Sequence, residues 1–167
     1  MVWATVLLSL SAAALGWVTA LGCCCFIHGL APRRAALLLS AVLRFMTAVP
    51  TVVYGFASVF LLVPLIRSAF SGAGFSWLAA GLVLAVLVVP TIVLIIDGQF
   101  RQVQAGIGVS GAALGFSPIQ QLLGLTLPLS RRGLGAAAAL GFGRAIGDTL
   151  IPLMLAGNAA RPPHSLL

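Results

Sequence analysis

Across 167 residues the chain is 61% hydrophobic and 7% charged, with a mean hydropathy of +1.19. Those values exclude a soluble globular domain and mark an integral membrane protein. The formal charge of +7 comes from nine arginines, no lysine and two aspartates. The arginines stand singly or in pairs between apolar spans, so they read as topology signals and not as a nucleic-acid surface.

Residues Val2 to Ile27 carry no charge. They are too long for a signal-peptide core and predict a membrane helix over 3–26. Cys23, Cys24 and Cys25 close it as small apolar fillers, since neighbouring cysteines rarely pair and no other cysteine exists. His28 reads as a solvated loop residue. The stretch from His28 to Arg44 holds Pro32, Arg33 and Arg34; its apolar part, Ala35 to Val42, is too short to span and reads as an early part of the next helix. A second span is expected over 45–66, with Pro50 and Pro64 inside it. Such breaks are tolerated in a bilayer where neighbouring helices cover them. After a Gly/Ser turn over 68–76, a third span is expected over 77–96, with Trp77 as an interfacial anchor, Pro90 as a kink and Asp97 as its end.

Gly98 to Arg132 is less apolar, with five glutamines and three arginines, and must lie at or beyond the membrane surface. A fourth span is expected over 133–157, followed by a short tail. Arg33, Arg34, Arg44, Arg101, Arg131 and Arg132 fall on one side of this arrangement, Arg67 and Arg161 on the other. The positive-inside bias puts the long loop in the cytoplasm and both ends of the chain outside.

Within the fourth span the only charges are Arg144 and Asp148. Four residues apart on a continuous helix, they share a face. Arg144 lies eleven residues into the span, about 16 Å deep in a layer of roughly 30 Å. A charge there costs at least a few kcal/mol and should face protein, water or substrate. One reading is a structural ion pair; the other is an anion station, with Arg144 as the cation, Asp148 holding it and Thr149 adding a hydroxyl. Gly143 and Gly147 form a small-xxx-small face for a neighbouring helix. With two acids, two histidines and no lysine, no catalytic pair, metal set or nucleotide-binding glycine loop can be built, so neither enzyme activity nor a cofactor is expected.

The long loop has its own pattern. Ala112 to Leu114 and Ile119 to Leu123 predict two short helices around a Gly115-Phe116-Ser117-Pro118 turn, with Ser117 as cap and Pro118 as the first helical position. Gly115 is followed at the tenth and later positions by Leu125, Leu127 and Pro128. This resembles the cytoplasmic coupling loop of ABC importer permeases: Glu-Ala-Ala, three residues, Gly, nine residues, Ile, any residue, Leu-Pro. Its first half is degraded: Val109 stands in place of the family Glu, followed by Ser110-Gly111, with Ala112 and Ala113 next in the same loop. Val49-Pro50-Thr51-Val52-Val53-Tyr54-Gly55, the Leu62 to Arg67 run and Pro90-Thr91-Ile92 resemble the phosphate-importer permeases in particular. Gly143-Arg144-Ala145-Ile146-Gly147-Asp148-Thr149 is similar to their Gly-Arg-Ala-Ile/Leu-Gly-Glu-Thr motif, with Asp for Glu.

The resemblance implies an all-α polytopic transmembrane bundle of the type I ABC importer kind, one permease domain over 1–167. Four membrane helices and a coupling-helix pair in the loop over 98–132 would match the second to fifth of the family's six helices. It implies a multi-pass protein of the bacterial inner membrane that carries inorganic phosphate. Its partners would be a second permease, cytoplasmic ATPase subunits, an extracytoplasmic phosphate-binding protein and the lipid bilayer, with no nucleic acid. Two alternatives stay open: a non-transporting membrane scaffold, and a permease for another oxyanion such as molybdate or sulfate.

Overall fold

The protein's computed structural model describes residues 2–69 and 77–155. The Gly/Ser turn from residue 70 on, the end of the fourth span past 155 and the tail with Arg161 lie outside the described residues. No strand occurs among those described. Three helical stretches are long and apolar enough to cross a membrane: Val2–Leu30, Thr51–Ser68 and Trp77–Ala113.

Helix α1 covers Val2–Cys25 and ends in a π-helical turn, Phe26–Leu30. An amphipathic helix α2, Arg33–Ala48, follows, then α3, Thr51–Ala69. The second span is therefore not one helix over 45–66. Val49, before Pro50, takes an extended conformation (φ −75°, ψ 126°). A residue preceding proline is pushed out of the α region, so Phe45 to Ala48 belong to α2. Pro64 and Pro90, by contrast, sit inside continuous helices.

Helix α4 is the trunk of the molecule and runs unbroken over Trp77–Ala113, 37 residues. At 1.5 Å per residue it is about 55 Å long, nearly twice a hydrocarbon core. The sequence reading ended this helix at Asp97. A charge ends an apolar stretch but does not end a helix, and no proline follows until Pro118. The first half of the segment over 98–132 is thus the trunk's own extension.

Helix α1 runs parallel to α4. Leu8 faces Gly81, Gly16 sits against the Ala85 carbonyl, and the Cys24 thiol lies 3.6 Å from the Val93 carbonyl. Helix α7, Arg131–Gly147, is antiparallel to α4, with Gly133 at Gln99 and Gly141 at Val88 and Ile92. Trp17 donates its indole N–H to the Leu134 carbonyl at 3.1 Å, tying α1 to α7. The core is the seam of these three helices, centred on Leu84, Val88, Ile92, Ile96 and Phe100, all 0% exposed. Between α4 and α7 lie two short helices, α5 (Pro118–Gln121) and α6 (Leu127–Leu129), joined by a π-helical turn, Leu122–Thr126. A last helix, α8 (Leu150–Leu155), packs Met154 onto Gly55 of α3.

The fourth span is likewise not a single helix. It breaks at Asp148, whose backbone is extended (φ −86°, ψ 108°), and resumes as α8. Gly147 is the last residue of one helix, and Asp148 opens the next, a residue type that position favours.

Candidate functional site

The break decides what Asp148 does. Its Oδ1 accepts from the backbone N–H groups of Leu150 and Ile151, both at 3.2 Å, so it caps α8. The carboxylate is 7% exposed. Among the described residues no salt bridge joins it to Arg144. The shared helical face assumed a helix that runs through Asp148; the break removes that face. A capping acid needs its oxygen within reach of the amides one turn ahead, and that aims it along α8.

Arg144 is exposed, and so are Gly143, Gly147 and Thr149. Gly141, three residues before Arg144, fits against the middle of α4: a Cβ there would stand 2.5 Å from Ile92 Cδ1. Gly141 is therefore the glycine that lets α7 approach α4. Gly143 and Gly147 have open space around them within the chain. One turn beyond Gly141, about 4.5 Å along the axis, Arg144 stands exposed in the last turn of α7, with no partner among the described residues.

The segment that resembles a coupling loop begins at the far end of α4, about 55 Å of helix rise from Trp77. Gly115 has φ +77°, the left-handed conformation that glycine adopts without strain. The Gly115 N–H donates to the Ala112 carbonyl (3.0 Å) and the Phe116 N–H to the Gly111 carbonyl (3.1 Å). Those two bonds make a Schellman end to α4. Ser117 then opens α5: its Oγ accepts from the Gln120 N–H (3.3 Å), and Gln120 Oε1 accepts from the Ser117 N–H (2.8 Å), with Pro118 next. This reciprocal cap follows from Ser-x-x-Gln spacing. The segment folds back on α4, since a Cβ on Gly111 would lie 3.3 Å from Leu125 Cδ1. Leu125 and Leu127 are half-buried, while Ala112, Ala113 and Pro128 are exposed. Val109, Leu114, Ile119 and Leu123 leave apolar side chains open, 83%, 73%, 43% and 58% exposed. An apolar patch at a helical tip is characteristic of a protein–protein contact.

A third polar group escaped the sequence reading. His28 is not a solvated loop residue; its side chain is 9% exposed. Its Nε2 lies 2.7 Å from Asp97 Oδ1 and its Nδ1 3.2 Å from Gln104 Oε1. Arg101 Nε donates to the other Asp97 oxygen at 2.9 Å. The signal was present in part: Asp97, Arg101 and Gln104 fall at i, i+4 and i+7, one face of a helix. It was missed because α4 was taken to end at Asp97.

A family model described as "Binding-protein-dependent transport system inner membrane component" matches residues 5–166. The chain belongs to this family. It is a multi-pass inner-membrane transport component with an all-helical membrane fold. It is similar to the phosphate transport system permease protein PstC of Mycobacterium leprae, 31% identical over 94% of this chain and 55% of that protein. A PstC of Pasteurella multocida is 29% identical over 87% and 52% respectively. A probable ABC transporter permease of Bacillus subtilis, YqgH, is 33% identical over 96% and 51%. The chain thus spans about half the length of the relatives it matches. No solved structure matches it.

Proposed function

We propose that the chain is a permease subunit of an ATP-driven ABC importer for inorganic phosphate, and that Arg144 is its anion station. The observation that carries this reading is Arg144, exposed and without a partner among the described residues, one turn past the point where Gly141 meets Val88 and Ile92 of the apolar α4. An uncompensated cation is costly there. It is tolerated where the outward face of α7 borders an aqueous path formed with another subunit. Phosphate is a hydrated anion and needs donors and positive charge along such a path. A guanidinium offers a planar fork that matches two phosphate oxygens, and no covalent step is required of the permease. With no lysine nearby and the Asp148 carboxylate one break away, the local positive charge stays small, so the anion would bind weakly enough to leave. Thr149, exposed just past the break, is a second donor in this reading. The similarity to proteins named phosphate transport permeases supports phosphate over other oxyanions.

The coupling segment would seat on a partner ATPase through Ala112, Ala113, Gly115 and the apolar side chains around them, with Leu125, Leu127 and Pro128 bracing it. Because the segment's first half is the end of α4, displacement of the tip moves the trunk itself. The further partners in this reading are a second permease and an extracytoplasmic phosphate-binding protein. One observation favours the scaffold alternative: Val109, 83% exposed, leaves the tip without the family's acid. Uptake of radiolabelled phosphate by membranes holding the assembled importer tests the reading. Uptake that is lost on Arg144→Gln while the subunits still co-purify supports it. Undiminished uptake removes Arg144 from the path.

A further inference from the structure

The face that α1 buries is made of small groups after Leu8: Ser9, Ala12, Ala13, Gly16, Ala20 and Cys24. Small residues let helix backbones approach closely, but they supply few knobs to fix how far one helix has slid along the other. In lipid no hydrophobic force opposes such sliding either. The His28 ring does. It bridges Asp97 and Gln104, two turns or about 10.5 Å apart on α4, through Nε2 at 2.7 Å and Nδ1 at 3.2 Å. A slip of α1 by one residue's rise, about 1.5 Å, would stretch one of these contacts and crowd the other.

The ring is held from other directions as well. Phe100, 0% exposed, meets it edge-on with centroids 5.5 Å apart. Arg101 fixes the second oxygen of Asp97. The residue after His28, Gly29, sits under Leu122 of the coupling segment, so close that a Cβ would lie 2.7 Å from Leu122 Cδ2. One π-helical turn therefore touches both the trunk and the segment that folds back on it. Single π turns of this kind recur where helices carry function.

We propose that His28 is a positioning residue that locks α1 in axial register with α4 and the coupling segment, so that a displacement of that segment carries α1 with it. The proposal rests on the permease reading above. It predicts that the transporter loses coupling, not assembly, when the bridge is cut.

The test is the number of inorganic phosphate ions moved per ATP hydrolysed, in liposomes holding the full importer. His28→Ala and Asp97→Asn are each expected to lower that ratio about threefold or more. A role confined to fold stability would reduce the amount of assembled importer, lowering both rates alike and leaving the ratio unchanged. His28→Gln keeps an amide for Asp97 but cannot reach both partners, and should lower the ratio about twofold; it also decides the matter if His28→Ala fails to assemble. An unchanged ratio in the substituted importers, beside a wild type that transports, overturns the lock alone. A wild-type assembly that moves no phosphate overturns the permease reading and the lock with it.

Discussion

The two charged regions of this molecule are built on opposite terms. Around His28, every charge has a partner within the chain: Asp97 meets His28 and the half-exposed Arg101, and Gln104 takes the remaining ring nitrogen. Around Arg144, nothing among the described residues closes. The one acid nearby, Asp148, is committed to the amides of Leu150 and Ile151. The difference separates two uses of charge in an apolar protein. A closed cluster fixes geometry between helices. An open guanidinium beside an apolar helix seam has to be satisfied by something outside the described residues.

The largest expected effect breaks the open region. Arg144→Gln should lower phosphate uptake by about a hundredfold, the loss of a charge-assisted contact of about 3 kcal/mol. Radiolabelled uptake measures it, with co-purification confirming assembly. Next comes the closed region. Asp97→Ala leaves His28 and Arg101 without their acceptor and should destabilise the chain by about 1–3 kcal/mol. Thermal unfolding in lipid nanodiscs reads that cost; a midpoint equal to the wild type would show that the cluster holds nothing.

Gly115→Ala should cost about 1–2 kcal/mol, because φ +77° strains any residue with a Cβ. Gly115→Asn should cost less. Co-purification with the ATPase should weaken in the same order, whereas equal retention of all three would free the coupling tip from its conformation. The smallest effects sharpen the assignment of Asp148. Asp148→Ala should lose about 1 kcal/mol of helix capping, while Asp148→Asn, an equally good cap, should be near neutral. A large loss of uptake in Asp148→Asn would instead restore the ion pair with Arg144.

Much of this architecture was legible in residue order. The membrane class follows from composition, and the Gly115 turn and Ser117 cap follow from local spacing, because both are short-range hydrogen-bond patterns. Three features were not. The break at Val49–Pro50 was hidden because Pro64 and Pro90 show that a proline need not stop a helix here. Asp97 was read as a terminus, so the extension of α4 and its face of polar groups went unseen. Asp148 was placed by periodicity on a face with Arg144, whereas its side chain took the nearer backbone amides. In each case the apolar pattern set where membrane helices run, and a single polar side chain or proline decided where the backbone turns. The position of Arg144 on the outward side of α7 also needed the structure, since glycines at 141, 143 and 147 look alike in sequence and only Gly141 meets α4.

The central claim is that Arg144 borders a water-filled anion path. The most direct measurement places a thiol there: Arg144→Cys, with Cys23, Cys24 and Cys25 changed to Ala, in the assembled importer in membranes. Reaction with a charged, membrane-impermeant thiol reagent is the predicted result. A thiol that stays unreactive, buried in lipid or against a neighbouring helix, would contradict the account.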